Sequence, residues 1–254
     1  MKYVMQYDKN RILTLLMFLS VCSLFGQTPR EIIKRMEDHM KGDASYMEMT
    51  MTTVRPRYTR DMSMKIWSKG DDFSLIFVTS PARDKGTGFL KRKKEIWNYL
   101  PSIDRMVKMP PSMMSQSWMG SDFTNDDLVR GSSTLDDYTH RLLPSEKLNG
   151  IDCFVIELIP KPESAIVYSK VLMWISKDKF LQLKVENFDE RMELANSIVQ
   201  SKITMLGGRE LPSVMEMIPA DKKGNKTIIT VSKIDFNPKI EDSFFSVQNL
   251  KKLR

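Results

Sequence analysis

From residue 44 onward, apolar positions recur at nearly every second residue. Met47, Met49 and Met51 alternate with Glu48, Thr50 and Thr52, and Met62, Met64 and Ile66 alternate with Ser63 and Lys65. Phe73, Leu75 and Phe77 continue the pattern, followed by runs at 96–100 and 105–108. A period of two sends successive side chains to opposite faces, so these runs predict strands with one dry and one wet face. An antiparallel sheet offers that environment. Further strands are expected at 138–143, 153–159, 170–176, 181–188, 195–205, 213–218 and 227–234. Turn residues separate them at Asn149-Gly150, Lys177-Asp178-Lys179, Gly207-Gly208 and Lys223-Gly224-Asn225. Connections are short and no βαβ spacing occurs, which favours a meandering sheet or open barrel of about ten strands.

Two segments depart from this period. At 28–31 the sequence TPRE combines a capping Thr28, a Pro29 suited to the first helical position and a Glu31 that completes a capping box. Ile32, Ile33, Met36 and Met40 then recur on one face, predicting an amphipathic helix that stops near Gly42. At 109–128, Pro110-Pro111 ends strand pairing, an irregular loop rich in Met and Trp follows, and Ser121-Asp122 is placed to cap a short helix through Leu128. No shift in composition marks a domain boundary, and no internal repeat or low-complexity segment is present.

One or two helices cannot cover a sheet of this size, so part of its apolar face is left for a ligand, a partner or a cavity. The expected face is Met47, Met49, Met51, Met62, Met64 and Ile66, continued by Phe73, Leu75, Phe77, Trp97 and Tyr99. Met113, Met114, Trp118 and Met119 form its expected mobile mouth. Methionine is flexible and polarizable, and a surface lined with it accepts ligands of variable shape. For any one of these residues, plain core packing is the competing reading.

The first 26 residues belong to targeting rather than to the fold. Lys2, Lys9 and Arg11 precede the apolar run 12–25, and Gly26-Gln27 follows, as in a secretory signal. The run is short of the roughly 20 apolar residues of a membrane span. An uncleaved anchor and lipidation at Cys22 are the alternatives. The expected mature chain, 27–254, is one domain. If Cys22 leaves with the signal, Cys153 is alone in it, and no internal disulfide can form. Its place in the alternating run IDCFVIELIP marks it as a buried strand position.

The formal charge is +7. Part of it lies in the signal and in 251–254; the remaining cluster is Lys91, Arg92, Lys93 and Lys94, read as a hairpin turn able to touch an anionic head group or membrane. Nucleic acid is not an expected partner, because no binding motif is present. The two histidines, His39 and His140, fall on different elements. Asp122, Asp126 and Asp127 lack the spacing of a calcium loop and read as a helix cap with solvated neighbours. No G-x-S-x-G elbow, metal-ligand spacing or phosphate loop occurs. Neither an enzyme nor a bound cofactor or metal is expected.

The motifs SPARDKGTGFLK (80–91), EIWNYLPSIDRMVKMPP (95–111) and SMMSQSWMGSDFTNDDL (112–128) resemble the outer membrane lipoprotein-sorting protein family, in its uncharacterised LolA-like branch. The resemblance covers essentially the mature chain, and 112–128 is its most specific part. It implies a mainly β fold: an unclosed antiparallel β-barrel, like the LolA/LolB half-barrel, curved round a hydrophobic cavity under a few helices. It further implies a monomeric periplasmic carrier of lipid or lipoprotein acyl chains, working without a reaction, in transient contact with membranes and beside an inner-membrane RND-type transporter. Its motifs belong to the branch rather than to the established lipoprotein carrier, so that carrier's functional residues are not carried over. The alternative is a structural subunit of an envelope complex that docks through 112–128 with its cavity closed.

Overall fold

All thirteen strands found among the described residues join one antiparallel sheet. The structure is a computed structural model describing residues 27–93, 95–125, 127, 134–164 and 166–253. The expected signal, with Cys22, lies outside them. The first six strands are β1 (Ala44–Arg55), β2 (Tyr58–Lys69), β3 (Phe73–Ser80), β4 (Gly88–Arg92), β5 (Glu95–Leu100) and β6 (Arg105–Lys108). They step outward from the centre of the sheet, each pairing with the one before. The chain then crosses to the far edge. There β7 (Tyr138–Leu148), β8 (Ile151–Pro160), β9 (Lys170–Ser176), β10 (Gln182–Phe188), β11 (Leu194–Leu206), β12 (Arg209–Pro219) and β13 (Lys226–Phe236) step back inward. β13 finishes beside β1, so β6 and β7 are unpaired edges and the sheet is not closed into a barrel.

The alternation read from the sequence predicts every strand but β4. Reading 91–94 as a turn hides it: Lys91 and Arg92 continue a strand, and Lys93 makes the turn with φ 54°. Pairing is uneven near the centre. β13 matches β1 over ten residue pairs, Ser45–Val54. It meets its sequence neighbour β12 over only four, Val214–Met217 with Thr227–Thr230.

Helix α1 (Pro29–Met40) starts as expected. The Thr28 side chain accepts from the Glu31 backbone N–H, and the Glu31 carboxylate accepts from that of Thr28 at 2.9 Å. Ile32, Ile33 and Met36 are buried against Ile156, Leu158, Met173 and Val185 on the inner face of β8–β10. At its other end Arg209 donates to the carbonyls of Asp38, His39 and Lys41, satisfying acceptors that the helix leaves open. Gly42 is required by close approach: a Cβ there would lie 2.9 Å from the Ala44 carbonyl and 2.8 Å from Asn237.

The outer face of β2–β5 is covered by the C-terminal segment, with a short helix α2 (Val247–Lys252) capped by Ser246. Phe245 and Leu250 are fully buried there against Leu75, Phe77, Leu90 and Tyr99. A Cβ on Gly88 would fall 2.5 Å from Leu250, so glycine lets α2 pack onto β4. No helix among the described residues is long and apolar enough to cross a membrane.

Candidate functional site

The described residues between β6 and β7 (109–125, 127 and 134–137) lie as a strap against the inner face of the sheet, and the expected site residues come together there only in part. Met47, Met49, Met51, Met62, Met64 and Ile66 do share one face: Met49 pairs with Met64, Met51 with Met62 and Met47 with Ile66. Ile76, Val78 and Phe89 extend it across β3 and β4. Phe73, Leu75, Phe77, Trp97 and Tyr99 do not belong to it. In register, Leu75 lies opposite Trp67, and Leu90 opposite both Leu75 and Trp97, on the outer face under α2. β3 is apolar on both faces, so the period alone could not tell which set pointed inward.

The Met face is filled. Within the connection, Gln116 to Asn125 folds back as a small hairpin, with the Trp118 N–H donating to the Phe123 carbonyl at 2.8 Å. Met119 (φ 51°) and Gly120 (φ 77°) turn its tip in the left-handed region. Trp118 is 1 % exposed and drives into the methionines, in a T-shaped contact with Phe89 at 5.5 Å between centroids. Its indole Nε1 is buried without a hydrogen-bond partner, as is Asn98 Oδ1 on the neighbouring strand. Met119 packs half-buried on the same cluster, and Met113 is 37 % exposed. The expectation of a displayed mouth is therefore corrected for Trp118, which is a wedge in the core.

A clasp holds this arrangement. Arg55 Nη1 pairs with Asp122 at 2.9 Å, and the Arg55 guanidinium also donates to the Gly120 carbonyl. Thr227 Oγ1 donates to the same Asp122 oxygen at 2.7 Å. The Asp122 side chain is 4 % exposed, so it is an anchor to β1 and β13 rather than the expected helix cap. Thr124 and Asp127 exchange the capping bonds instead: the Asp127 carboxylate accepts from the Thr124 N–H, and Thr124 Oγ1 accepts from the Asp127 N–H. The expected helix runs on through Asp126 and Leu128, which lie outside the described residues.

Beyond the wedge the inner face is hollow. A cavity of about 700 Å³ lies against the other half of the sheet, a size typical of small-molecule sites. Its floor is Leu158, Val171, Met173, Val185, Ile198 and Met217, from β8 to β12. Met114, Phe123 and Tyr138 wall it from the connection and the start of β7. Of the residues expected to bind ligand, Met114 alone lines this space. Ile229 borders both the cavity and the Met cluster, so the two are neighbours on one continuous face.

The basic cluster also divides. Lys91 pairs across from Ser74 and Ile96 on the inner face, beside Trp118, where burial pulls its pKa below the ordinary lysine value. Arg92 and Lys93 are exposed, and Lys94 lies outside the described residues. His39 and His140 each meet a backbone carbonyl, of Glu210 at 3.2 Å and Thr134 at 2.7 Å. Cys153 is fully buried, and burial pushes its thiol pKa up.

An open antiparallel sheet with a hollow inner face, a helix over it and a strap against it is a LolA-like fold. A putative outer membrane lipoprotein-sorting protein domain from Vibrio parahaemolyticus is similar at 25 % identity and a TM-score of 0.77, over 88 % of this chain and 98 % of that one. A DUF1329 family protein from Desulfovibrio piger shows 26 % identity and a TM-score of 0.79, over 87 % and 97 %. A LolA superfamily protein from Nitrosomonas europaea shares the fold, with 22 % identity, a TM-score of 0.74 and coverage of 88 % and 99 %. No curated protein matches the sequence. Residues 70–252 match a family model described as "Uncharacterized protein", and the chain belongs to that family.

Proposed function

We propose that this protein is a non-enzymatic carrier in the bacterial envelope that holds lipid or lipoprotein acyl chains in the cavity on the inner face of β8–β13. The observation that carries the reading is the cavity itself, about 700 Å³ of largely apolar space between the sheet and the strap. Each buried CH₂ is worth about 0.8 kcal/mol. One long chain would then supply on the order of 10 kcal/mol before ordering costs, enough for capture and still reversible. Similarity to a lipoprotein-sorting domain supports the reading, and the expected secretory signal at 1–26 is consistent with it. On this reading 27–254 works as one exported, monomeric domain in the periplasm. It meets membranes transiently, with Arg92 and Lys93 available to anionic head groups, and exchanges cargo with an inner-membrane transporter of RND type. Docking of a partner through 112–128 is less well supported, because the tryptophan of that segment is spent on the core.

Organic-solvent extraction of the purified chain, followed by mass spectrometry, tests the proposal. A stoichiometric lipid or lipopeptide is expected. An extract that stays empty after incubation with envelope lipids would overturn it.

A further inference from the structure

The cavity wall carries a polar pair that an acyl chain alone does not need. Asn187 on β10 and Asn196 on β11 are cross-strand partners, 6 % and 8 % exposed. Asn187 Nδ2 donates to Asn196 Oδ1 at 2.8 Å, and Asn196 Nδ2 donates to the Tyr168 hydroxyl at 2.9 Å. Asn187 and Tyr168 line the cavity, next to Val171 and Val185. Burying two amides in an apolar wall is costly unless their hydrogen bonds are made, and two valines would fill the same strand positions without that cost. The bonds among the three side chains leave Asn187 Oδ1 with no partner among the described residues. It is not among the buried unpartnered atoms, which are Asn98 Oδ1 and Trp118 Nε1. Its open surface belongs to a residue otherwise buried in the cavity wall, so an acceptor faces the hollow.

The charges round the cavity narrow the choice. Among the described lining residues the one charged group is Asp127, which already accepts from Thr124, and no Lys, Arg or His faces the space. An ionised carboxylate or phosphate inside would give up hydration, meet no cation among the described lining residues and face Asp127. A hydroxyl or an amide N–H would meet Asn187 Oδ1 and keep its hydrogen bond.

Resting on the carrier reading above, we infer that Asn187, supported by Asn196 and Tyr168, is a specificity element that selects acyl lipids whose buried polar group is an uncharged hydrogen-bond donor. Glycerol esters with a free hydroxyl and N-acyl amides fit this class; free fatty acids and anionic head groups do not.

Displacement of the neutral probe N-phenyl-1-naphthylamine from the full purified chain measures this directly. At pH 8, 1-lauroyl-glycerol and lauramide are expected to bind about tenfold more tightly than laurate. The gap should narrow near pH 4.5, where laurate takes up its proton. Asn187→Val should erase the preference for the neutral lipids while the probe itself still binds, and probe binding also certifies that the variant is folded. Equal affinities for laurate and the neutral lipids in the unaltered chain would overturn the inference, whatever the variant does. A preference unchanged in probe-binding Asn187→Val would overturn it too. If neither the probe nor any lauroyl compound binds, the carrier reading falls with it.

Discussion

The two halves of the inner face are made alike and end up unlike. Across β1–β4 the methionines, Ile76, Val78 and Phe89 receive Trp118, which leaves beside Ile76 and Phe89 a space of only about 10 Å³. Across β8–β12 a comparable apolar surface is covered by α1 on one side and by the strap at a distance, and about 700 Å³ stays open. The sheet does not distinguish them. What differs is the covering: a side chain of indole size set down by a tight hairpin on one half, a helix lying over only part of the other. A rich apolar face is thus no guide to a ligand site until the residues that cover it are known, and the most methionine-rich surface of this chain is core.

The comparison can be broken most forcefully at the wedge. Trp118→Ala should cost about 4 kcal/mol in urea unfolding, as for an aromatic truncated in a packed core. A folded remnant should accept longer acyl probes, since the vacated space adjoins the cavity at Ile229. A cost below about 1 kcal/mol would mean that the indole covers the Met face without filling it.

A matched pair sharpens the contrast. Met64→Ala, in the filled half, should lose about 3 kcal/mol of stability and leave lipid affinity unchanged. Met217→Ala, equally buried but on the cavity floor, should lose about 1 kcal/mol, because its neighbours on one side are already missing, while lipid affinity falls. Equal losses in the two melts would remove the distinction between the halves.

The smallest effect concerns Lys91, half-buried beside the wedge. Burial lowers its pKa in the folded chain, so the native state holds that proton less tightly than the unfolded one. The resulting penalty is fully present below the lowered native value. It fades as pH rises toward the unfolded value of 10.5. Lys91→Met should therefore raise stability at pH 7 by no more than about 1 kcal/mol, with the gain shrinking by pH 10. A gain that grows with pH in thermal melts would contradict the sign.

Much of this architecture is legible in the residues. The period of two reveals twelve strands, and Thr28, Pro29 and Glu31 announce α1 before any contact is known. The site was harder to read, for physical reasons. The apolar residues of β3 alternate on both faces, so Leu75 and Phe77 look as eligible for the cavity as Ile76 and Val78. Lys91 and Arg92 look like a turn because charged residues seldom continue a buried strand. The cover from Phe245 and Leu250 comes from a C-terminal segment whose lysines suggest only a solvated tail. Leu158, Val171, Val185 and Ile198 fall on strands the period identifies, yet nothing local marks them as cavity floor. That depends on where a segment between distant edges sets down one tryptophan.

The meeting of β1 with β13 at the middle of the sheet also governs how the chain must fold. Each half is a run of local hairpins that can zip up as soon as its residues are available. The join is a contact between strands near opposite ends of the chain, and closing it carries the entropy of the whole intervening loop. Because β13 meets β12 over only four residue pairs and β1 over ten, the last strand belongs more to the first than to its own predecessor. Until it arrives, β1 presents an unpaired edge beside a row of bare methionines, a surface prone to association. The chain's most aggregation-prone interval therefore lasts until its final strand is in place, which is a reason for such a protein to be kept unfolded or escorted until its full length can collapse at once.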